Sequence, residues 1–365
     1  MALRGYGPPR PTGYPSQPAA GRSHAFVLPT WMVPMDRLLQ IIAGFQEAKI
    51  LLAAAELGVF DHLTGAGTTA RAVAAAISGN LRGTEILLDA LAALGVIDKA
   101  GGLYRNRVVY EPFLTGGEGP APFLGLLRHR NRMFRNWALL EERVRGEPLP
   151  ATLRDRDVLS DPRTNEAFIL AMWAGGTPNA PLVADHMDLS GVRTLADLGG
   201  GPGHYLAEFA RRAPDAEPYL IDLPLTLQVA RRVLADSPVF PRIRFVEWDF
   251  YNADPPVTLP GFDLVYVSSV LHSEPPERNR ALLARVFPLV APGGRVVVQE
   301  HVVEPSRTSP PEAALFAVNM LASTPGGRTY TEEEILSWGE AAGFVPEQGE
   351  RLSGRSYLVR MLRPR

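Results

Sequence analysis

The sequence contains no cysteine and almost no lysine, and both absences exclude particular kinds of chemistry. Without cysteine the protein has no disulfide, no thiolate metal site and no cysteine nucleophile. The only lysines, Lys49 and Lys99, lie in the first third of the chain, so most lysine-based catalysis is excluded by position. With thiolate ligands excluded, we expect no metal centre.

Strong charge and long apolar runs are also lacking. The formal net charge of −2 and the pI of about 6.4 give no electrostatic reason to expect a nucleic-acid partner. No apolar run approaches the roughly 20 residues that span a bilayer, so we expect no membrane partner and a cytoplasmic protein. The first residues are rich in proline and glycine and contain no apolar signal core, which predicts a flexible tail over residues 1–28.

The chain has 365 residues, 46% of them hydrophobic, and therefore has room for two domains. Residues 29–118 show apolar residues at helical spacing, then two helices broken at 78–80 and a hairpin that turns at 100–102. This order is typical of a winged helix-turn-helix, which serves either DNA binding or dimerisation. The predicted second helix, residues 84–94, has no basic residue to meet phosphate, which favours a dimerisation domain.

Residues 119–185 indicate a helical linker that carries Phe168, Met172 and Trp173 on one helical stretch. A methionine and aromatic stripe at helical spacing belongs more often to a core than to a pocket. This stripe, however, comes directly before a glycine-rich segment that has the features of a ligand site. We therefore predict that the linker contributes to a substrate pocket.

The glycine-rich segment begins with an apolar strand at Thr194–Leu198, turns through five residues and continues as a helix from His204. Glycines let the backbone turn sharply and allow a nucleotide-like molecule to lie against the loop. The next strand ends on Asp222, at roughly the twenty-residue offset of an acid that accepts hydrogen bonds from ribose hydroxyls. The sequence therefore predicts a nucleotide-like ligand, and a glycine turn without a ligand is the alternative.

The glycine spacing indicates which ligand. Pyrophosphate-binding dehydrogenase sites use G-x-G-x-x-G, whereas here Gly199, Gly201 and Gly203 are closer together and Asp197 precedes them. An acidic residue before G-x-G-x-G instead resembles the first motif of the class I S-adenosylmethionine-dependent methyltransferases. A nicotinamide-dependent oxidoreductase is therefore the weaker alternative.

Strands and helices alternate from Thr194 to the end, which predicts a doubly wound α/β sheet over residues 186–365. Its strands are expected at 194–198, 219–221, 243–248, 262–267, 295–300 and 356–362. Its helices are expected at 204–212, 224–234, 276–290 and 332–342, with a turn at 292–294. Ligands of such sheets bind beyond the carboxyl ends of the strands. Asp222, Asp249, His272 and Glu300 fall at or just after such ends.

Three of these residues suggest particular chemistry. Asp249, with Phe250 beside it, suits the exocyclic amine and ring face of an adenine; a solvated loop acid is the alternative. His272 suits a general base that takes the proton of an acceptor hydroxyl during methyl transfer, and a histidine that caps or packs in its loop is the alternative. Glu300 would orient the His272 imidazole and stabilise its charged form.

The chain from about Trp31 onwards resembles the class I S-adenosylmethionine-dependent small-molecule O-methyltransferases, typified by plant caffeic-acid-type enzymes and by bacterial enzymes that tailor antibiotics and pigments. The segments that carry the resemblance, in the family's order, are DLGGGPG, Asp222, WDFY, VLHSEPPERN, LVAPGGRVVVQE and NMLASTPGG. The resemblance implies a Rossmann-like, doubly wound, seven-stranded α/β methyltransferase sheet behind an N-terminal, mostly helical, winged-helix-like dimerisation domain. It also implies S-adenosyl-L-methionine as cofactor, a homodimer, and a small aromatic or polyketide-like hydroxyl acceptor in secondary-metabolite or antibiotic biosynthesis.

The resemblance assigns roles by position, with His272 as general base and Glu300 as its partner. The implied cofactor-binding residues are Asp197, Gly199, Gly201, Gly203, Asp222, Leu223, Asp249, Phe250 and Ser268. The implied acceptor-binding residues are Met172, Trp173, Phe316, Asn319, Met320 and Thr324.

Three positions depart from the family pattern. Arg328-Thr329 replace the second carboxylate expected after the Pro-Gly-Gly, Ser273-Glu274 follow the histidine in place of Asp-Trp, and Ser268 replaces a basic residue. The acceptor atom therefore stays open between O-methylation, C- or N-methylation and a non-methylating S-adenosylmethionine-binding homologue. A DNA-binding regulator is the alternative from a different class.

Overall fold

The computed structural model describes residues 32–116, 121–148, 150 and 160–365. The predicted tail at 1–28 lies outside the described residues. The division into a tail, a dimerisation domain at 29–118, a linker at 119–185 and a catalytic domain at 186–365 stays a prediction.

The first described helix, α1 (Met32–Ala43), exposes large apolar side chains such as Leu38, Leu39, Ile41 and Ile42. The helical stretch Met35–Glu56 is long and apolar enough to cross a membrane by length and composition alone. This corrects the expectation that no apolar run reaches that length, because only Gly44 separates α1 from the next helix, α2 (Phe45–Glu56). A core helix of a soluble protein meets the same criteria, so the stretch is weak evidence for a membrane span.

The next part of the chain forms a small helical domain with a three-stranded antiparallel sheet of order β1-β3-β2. Its elements are β1 (Thr68–Thr69), α3 (Ala70–Ala76), α4 (Leu81–Ala93), β2 (Ile97–Ala100), β3 (Leu103–Asn106) and α5 (Glu111–Leu114). The predicted break lies between α3 and α4, where the Asn80 side chain accepts a hydrogen bond from the Gly83 amide and caps α4. The predicted hairpin joins β2 and β3, so the winged-helix outline is confirmed.

Within the described ranges 121–148 and 160–365, four α-helices lead from this domain to the large sheet. They are α6 (Pro122–Trp137), α7 (Leu140–Val144), α8 (Pro162–Gly176) and α9 (Ala180–Asp185). α6 packs closely on α8: a β-carbon added to Gly125 would lie 2.6 Å from Cβ of Leu170. The linker helices therefore form a tight pair.

The rest of the chain forms one large α/β sheet with helices on both faces, which confirms the predicted fold class. Its elements are β4 (Thr194–Leu198), α10 (His204–Arg212), β5 (Glu217–Asp222), α11 (Pro224–Leu234), β6 (Arg244–Glu247), β7 (Phe262–Ser268), α12 (Pro276–Val286), β8 (Val290–Glu300), α13 (Pro311–Ser323), α14 (Glu332–Ala342), β9 (Val345–Pro346), β10 (Glu350–Ser353) and β11 (Ser356–Leu362). The strand order is β10-β11-β8-β7-β4-β5-β6, and the two-residue β9 pairs with β11. The five strands from β6 to β8 in this order are parallel, and β11 runs antiparallel to β8.

Alternate residues of the strands supply two hydrophobic cores. On one face, residues such as Val265 and Val298 pack with α12 and α14. On the other face, residues such as Leu195 and Leu220 pack with α10 and α11. A sheet covered on both faces explains why its strands appear in the sequence as continuous apolar runs.

Two predicted boundaries around β8 were wrong. The helix predicted at 276–290 ends at Val286, and the turn predicted at Pro292-Gly293-Gly294 lies within β8. A β-carbon at Gly294 would lie 2.8 Å from the Phe262 carbonyl oxygen, so this glycine permits close strand contact. The Gly294 carbonyl also accepts a hydrogen bond from the Arg363 amide, which keeps the segment paired.

Candidate active site

The candidate site lies where the chain direction across the sheet reverses, between β4 and β7. From β4 the chain proceeds to β5 and β6 on one side, and it returns to β7 and β8 on the other. Ligands of open α/β sheets bind in the crevice outside the strand ends at such a point. The glycine loop follows β4, His272 follows β7, and Glu300 ends β8.

The glycine loop is held in place by Asp222. Gly199, Gly201 and Gly203 adopt φ angles of 72°, 57° and 79°, a left-handed conformation that other residues rarely adopt. The Gly201 amide donates to Oδ2 of Asp222 at 2.8 Å, and the Leu223 amide donates to Oδ1 at 2.7 Å. Burial raises the pKa of Asp222 to about 6, although these amides oppose the shift. The predicted ribose acid therefore also shapes the loop.

Asp197 is a buried carboxyl group without a partner in the described chain. It is 0% exposed, and neither carboxyl oxygen accepts a hydrogen bond within ordinary geometry. Burial, and next the nearby Asp222, raise the pKa of Asp197 to about 8, although the nearby Leu206 amide opposes the shift. Buried polar atoms in native proteins nearly always have partners. An orphaned acid beside the loop fits a cofactor that carries an ammonium group, as S-adenosylmethionine does.

Phe250 covers the glycine loop from the β6 side. A β-carbon at Gly199 would lie 3.2 Å from Cζ of Phe250 and 2.7 Å from Cγ2 of Val270, so only glycine permits this contact. The Asp249 carboxylate accepts hydrogen bonds from the Asn252 side chain at 2.9 and 3.1 Å. Its predicted role toward adenine stays a prediction.

Ser268 lies at the end of β7, where the backbone is strained. Its hydroxyl donates to the Gln299 side chain at 3.3 Å. The next residue, Ser269, has a φ of 58°, which is unusual for a residue other than glycine. Such outliers concentrate at functional sites.

His272 and Glu300 form a buried pair. Nδ1 of His272 lies 2.8 Å from Oε2 of Glu300, and the His272 backbone amide donates to Oε1 at 3.3 Å. Burial raises the pKa of Glu300, but the adjacent His272 outweighs it and holds that pKa below the usual value. The carboxylate is thus charged at neutral pH. With Nδ1 donating to Glu300, Nε2 of His272 keeps its lone pair.

A second loop supports His272 through Gly327, a residue for which the sequence predicted no individual role. A β-carbon at Gly327 would lie 2.3 Å from the His272 carbonyl oxygen, so only glycine fits. The Gly327 amide donates to Oγ1 of Thr324 at 2.8 Å, and that hydroxyl donates to the Met320 carbonyl at 2.8 Å. The Thr324 hydroxyl is therefore engaged within the protein. The doubled glycine after Pro325 was the available signal.

The α13 side chains predicted to contact the acceptor lie beside this pair. The Phe316 ring packs edge-on against His272, with centroids 4.8 Å apart, and Met320 is buried nearby. Phe316 also stacks on His301 at 3.9 Å. His301 was not predicted; burial lowers its pKa to about 4, and its Nδ1 has no partner in the described chain. A neutral imidazole, that of His301, thus lies beside the candidate base.

Linker helices hold α13 in place. Nε1 of Trp137 donates to Oδ1 of Asn319 at 3.0 Å, and the Asn136 side chain donates to the Ser323 hydroxyl at 3.3 Å. Arg143 donates to the carbonyls of Leu321 and Thr324 at 3.0 Å each and so caps the end of α13. Asn319 is therefore anchored by its oxygen to the linker.

The two predicted α8 residues occupy different surroundings. Met172 is partly buried, whereas Trp173 packs against the core under α10 and lies edge-on to His204, with centroids 6.4 Å apart. His204 was not predicted as a site residue. Trp173 therefore contacts the glycine-loop helix, and its role toward the acceptor stays a prediction.

The missing second carboxylate is not replaced nearby. Thr329 is buried and Arg328 is exposed. Within the described chain, the only carboxylate within ion-pair distance of His272 is Glu300. The pair therefore has one acid where the family pattern implies two.

Comparisons with known proteins agree with this architecture. A family profile described as an O-methyltransferase domain matches residues 158–345, and one described as an O-methyltransferase dimerisation domain matches residues 39–115. The 3-hydroxy-5-methyl-1-naphthoate 3-O-methyltransferase of Streptomyces sahachiroi is 33% identical over 84% of this chain and 88% of the relative. The tetracenomycin polyketide synthesis 8-O-methyl transferase of Streptomyces glaucescens is 29% identical over 90% of this chain and 96% of the relative.

The solved structures include a protein with a bound methyl donor. The crystal structure of human N-acetylserotonin methyltransferase in complex with S-adenosylmethionine superposes with a TM-score of 0.74 and 26% identity. The match covers 95% of this chain and 100% of that chain.

Proposed function

This chain belongs to the S-adenosylmethionine-dependent O-methyltransferase family, and we propose that it methylates a hydroxyl group of a small aromatic or polyketide-like molecule with His272 as general base. The cofactor is S-adenosyl-L-methionine. The observation that carries the proposal is the buried His272–Glu300 pair, 2.8 Å apart, beside the glycine loop at the reversal point of the sheet.

The pair supplies the proton acceptor that O-methylation requires. When bound, S-adenosylmethionine would supply a methyl group on a positively charged sulfur, and the methyl–sulfur bond would break, leaving its electron pair on sulfur, as the acceptor oxygen takes the methyl group. As that oxygen bonds the methyl carbon, its proton passes to Nε2 of His272. Glu300 holds Nδ1 and stabilises the imidazolium that forms. The neutral product and the sulfur leaving group then depart.

The loop and strand ends would hold the cofactor. Asp222 would accept from the ribose hydroxyls, Phe250 would cover the adenine beside Asp249, and Asp197 would pair with the ammonium group. Gly199, Gly201 and Gly203 would admit the ligand next to the backbone, with Leu223 and Ser268 at the edges. The unsatisfied Asp197 carboxyl supports this arrangement.

The acceptor wall would consist of Phe316, Asn319 and Met320 on α13, Thr324 directly after it, and Met172 and Trp173 on α8. Ring and thioether surfaces favour a flat apolar acceptor. The two Streptomyces relatives, named for a naphthoate and for a polyketide pathway, support an aromatic acceptor of this kind.

The match to a dimerisation domain supports assembly as a homodimer. Light scattering of the full chain tests the dimer.

The test of the proposed function is an acceptor screen followed by one substitution. Hydroxynaphthoates and phenolic polyketides are incubated with S-adenosylmethionine, and S-adenosylhomocysteine release is measured. We expect His272→Ala to lower kcat with an accepted hydroxyl compound by about 100-fold or more, the usual contribution of a general base, while the affinity for S-adenosylhomocysteine stays unchanged. Unchanged turnover would reject His272 as the base and favour catalysis by proximity alone or a carbon acceptor.

A further inference from the structure

His204 is a buried histidine whose ring has no partner in the described chain. It is the first residue of α10 and follows Gly203 directly. Its side chain is 8% exposed, and neither Nδ1 nor Nε2 makes a hydrogen bond. Native proteins rarely leave buried polar atoms unpaired. The imidazole therefore indicates a hydrogen-bond partner other than the described residues of this chain.

The surroundings of the ring are built to accommodate it. The ring packs on Tyr205, with centroids 4.1 Å apart, and edge-on to Trp173. On the α8 side it contacts Gly176, where an added β-carbon would lie 2.0 Å from Nε2. Any side chain at 176 would displace the imidazole. Burial lowers the pKa of His204 to about 3, so the ring is neutral at physiological pH and acts as a hydrogen-bonding group.

The strand order indicates which part of the cofactor comes next to this ring. Asp249 follows β6, Asp222 ends β5, and α10 begins just after β4, so the three positions follow one another along the sheet edge. With adenine and ribose at the first two, the amino-acid end lies at the third. The start of a nine-residue helix favours a negative group there, because the helix dipole is positive at that end. That end of the cofactor carries a carboxylate.

We propose that an imidazole N–H of His204 donates a hydrogen bond to the carboxylate of S-adenosylmethionine, and that Gly176 lacks a side chain so that this ring fits. The inference rests on the cofactor site of the proposed function. In this arrangement His204 binds the carboxylate of the cofactor's amino-acid end, and Asp197 binds its ammonium group.

The test is a calorimetric titration with S-adenosylmethionine and with decarboxylated S-adenosylmethionine, which lacks only the carboxylate. The wild type is expected to prefer the first ligand. His204→Phe keeps a ring of similar size and is expected to lower the affinity for S-adenosylmethionine by about 10- to 100-fold, the effect of losing a hydrogen bond to a charged group. Its affinity for the decarboxylated ligand should stay within about twofold. His204→Asn, which retains an N–H donor, should keep part of the preference.

A second pair of variants tests the same contact from α8. Because a β-carbon at 176 falls at the position of Nε2, a serine there places a hydroxyl in the volume of the lost ring. We expect Gly176→Ser to restore carboxylate preference in a His204→Ala background. The same substitution in the wild type should weaken binding of both ligands, because it displaces the ring.

The outcomes separate the inference from the proposed function. Equal losses for both ligands in His204→Phe and His204→Asn would make His204 a packing residue and overturn the inference, as would no loss at all. If the wild type bound neither ligand, the cofactor site itself would be refuted. Melting temperatures of all variants show whether a loss of binding merely follows a loss of folding.

Discussion

The contribution of Glu300 to catalysis is open to a direct test with Glu300→Gln. Glutamine has nearly the same shape and still accepts a hydrogen bond from Nδ1 of His272 through its oxygen, but it carries no charge. Two unit charges at 4 Å attract by about 4 kcal/mol at an effective dielectric constant of about 20, and Nδ1 and Oε2 are 2.8 Å apart. Loss of this attraction from the transition state corresponds to about a 1,000-fold lower rate. Because the hydrogen bond is partly retained, we expect kcat to fall by about 100- to 1,000-fold.

The assay is initial-rate release of S-adenosylhomocysteine with an acceptor that the wild type methylates, at saturating methyl donor. The matched control is Glu304→Gln, an exposed glutamate four positions further along the chain, which should leave kcat unchanged. The affinity for S-adenosylhomocysteine should be the same in both variants. A kcat within about threefold of wild type for Glu300→Gln would refute the charge argument, and an equal fall in both variants would point to a general disturbance of the segment.

Three further predictions follow from buried groups and close contacts. Asp197 is protonated below about pH 8 in the free protein, so its pairing with an ammonium group must release a proton. The affinity for S-adenosylhomocysteine, measured by calorimetry in buffers of different ionisation enthalpy, should therefore rise from pH 6 to pH 8, and Asp197→Asn should lose this pH dependence. Wild-type binding that does not change with pH would contradict the pairing. Gly327→Ala should displace the His272 carbonyl and lower kcat by about tenfold or more, with the affinity for the methyl donor unchanged. The control variant Gly326→Ala, whose β-carbon meets only the Pro275 ring, should have a small effect. Equal kcat values for the two variants would contradict the contact. The pKa of His301 is lowered to about 4 in the folded protein, so below about pH 6.5 the unfolded chain binds a proton that the folded chain does not, and stability falls as pH decreases. Between pH 7 and pH 5 the melting temperature should therefore fall less for His301→Phe than for the wild type. An equal fall in both proteins would reject the effect.

The sequence was sufficient for the elements whose residues alternate or repeat clearly. α10, α11 and α14 have the predicted bounds, because each has an apolar face and a well-marked start. β10 was missed because Glu350 and Arg351 open it, and charged residues at a sheet edge do not resemble a strand. The turn predicted at Gly293 was wrong because a glycine that permits strand contact looks the same in sequence as one that turns the chain.

Site residues could be predicted only where their position in a sequence pattern, such as the end of a strand, marks them. Asp222 and His272 follow strands and were found by their position. The role of Gly327 depends on a backbone 55 positions away in the chain, and the doubled glycine after Pro325 does not indicate which backbone that is. His204 was passed over because it looks like an ordinary helix start, and only its lack of partners sets it apart.

The anchoring of α13 by Trp137 and Arg143 has a consequence for how this enzyme's acceptor range can change. The α13 side chains that would contact the acceptor are held in position by α6 and α7, which need not contact the acceptor themselves. The groups assigned to the methyl donor and to the proton lie on the sheet. Acceptor selectivity and methyl-transfer chemistry are thus determined by different segments of the chain. Directed evolution confined to residues 136–144 can therefore shift α13 and change which hydroxyl compounds are accepted without replacing any group assigned to the methyl donor or to the proton.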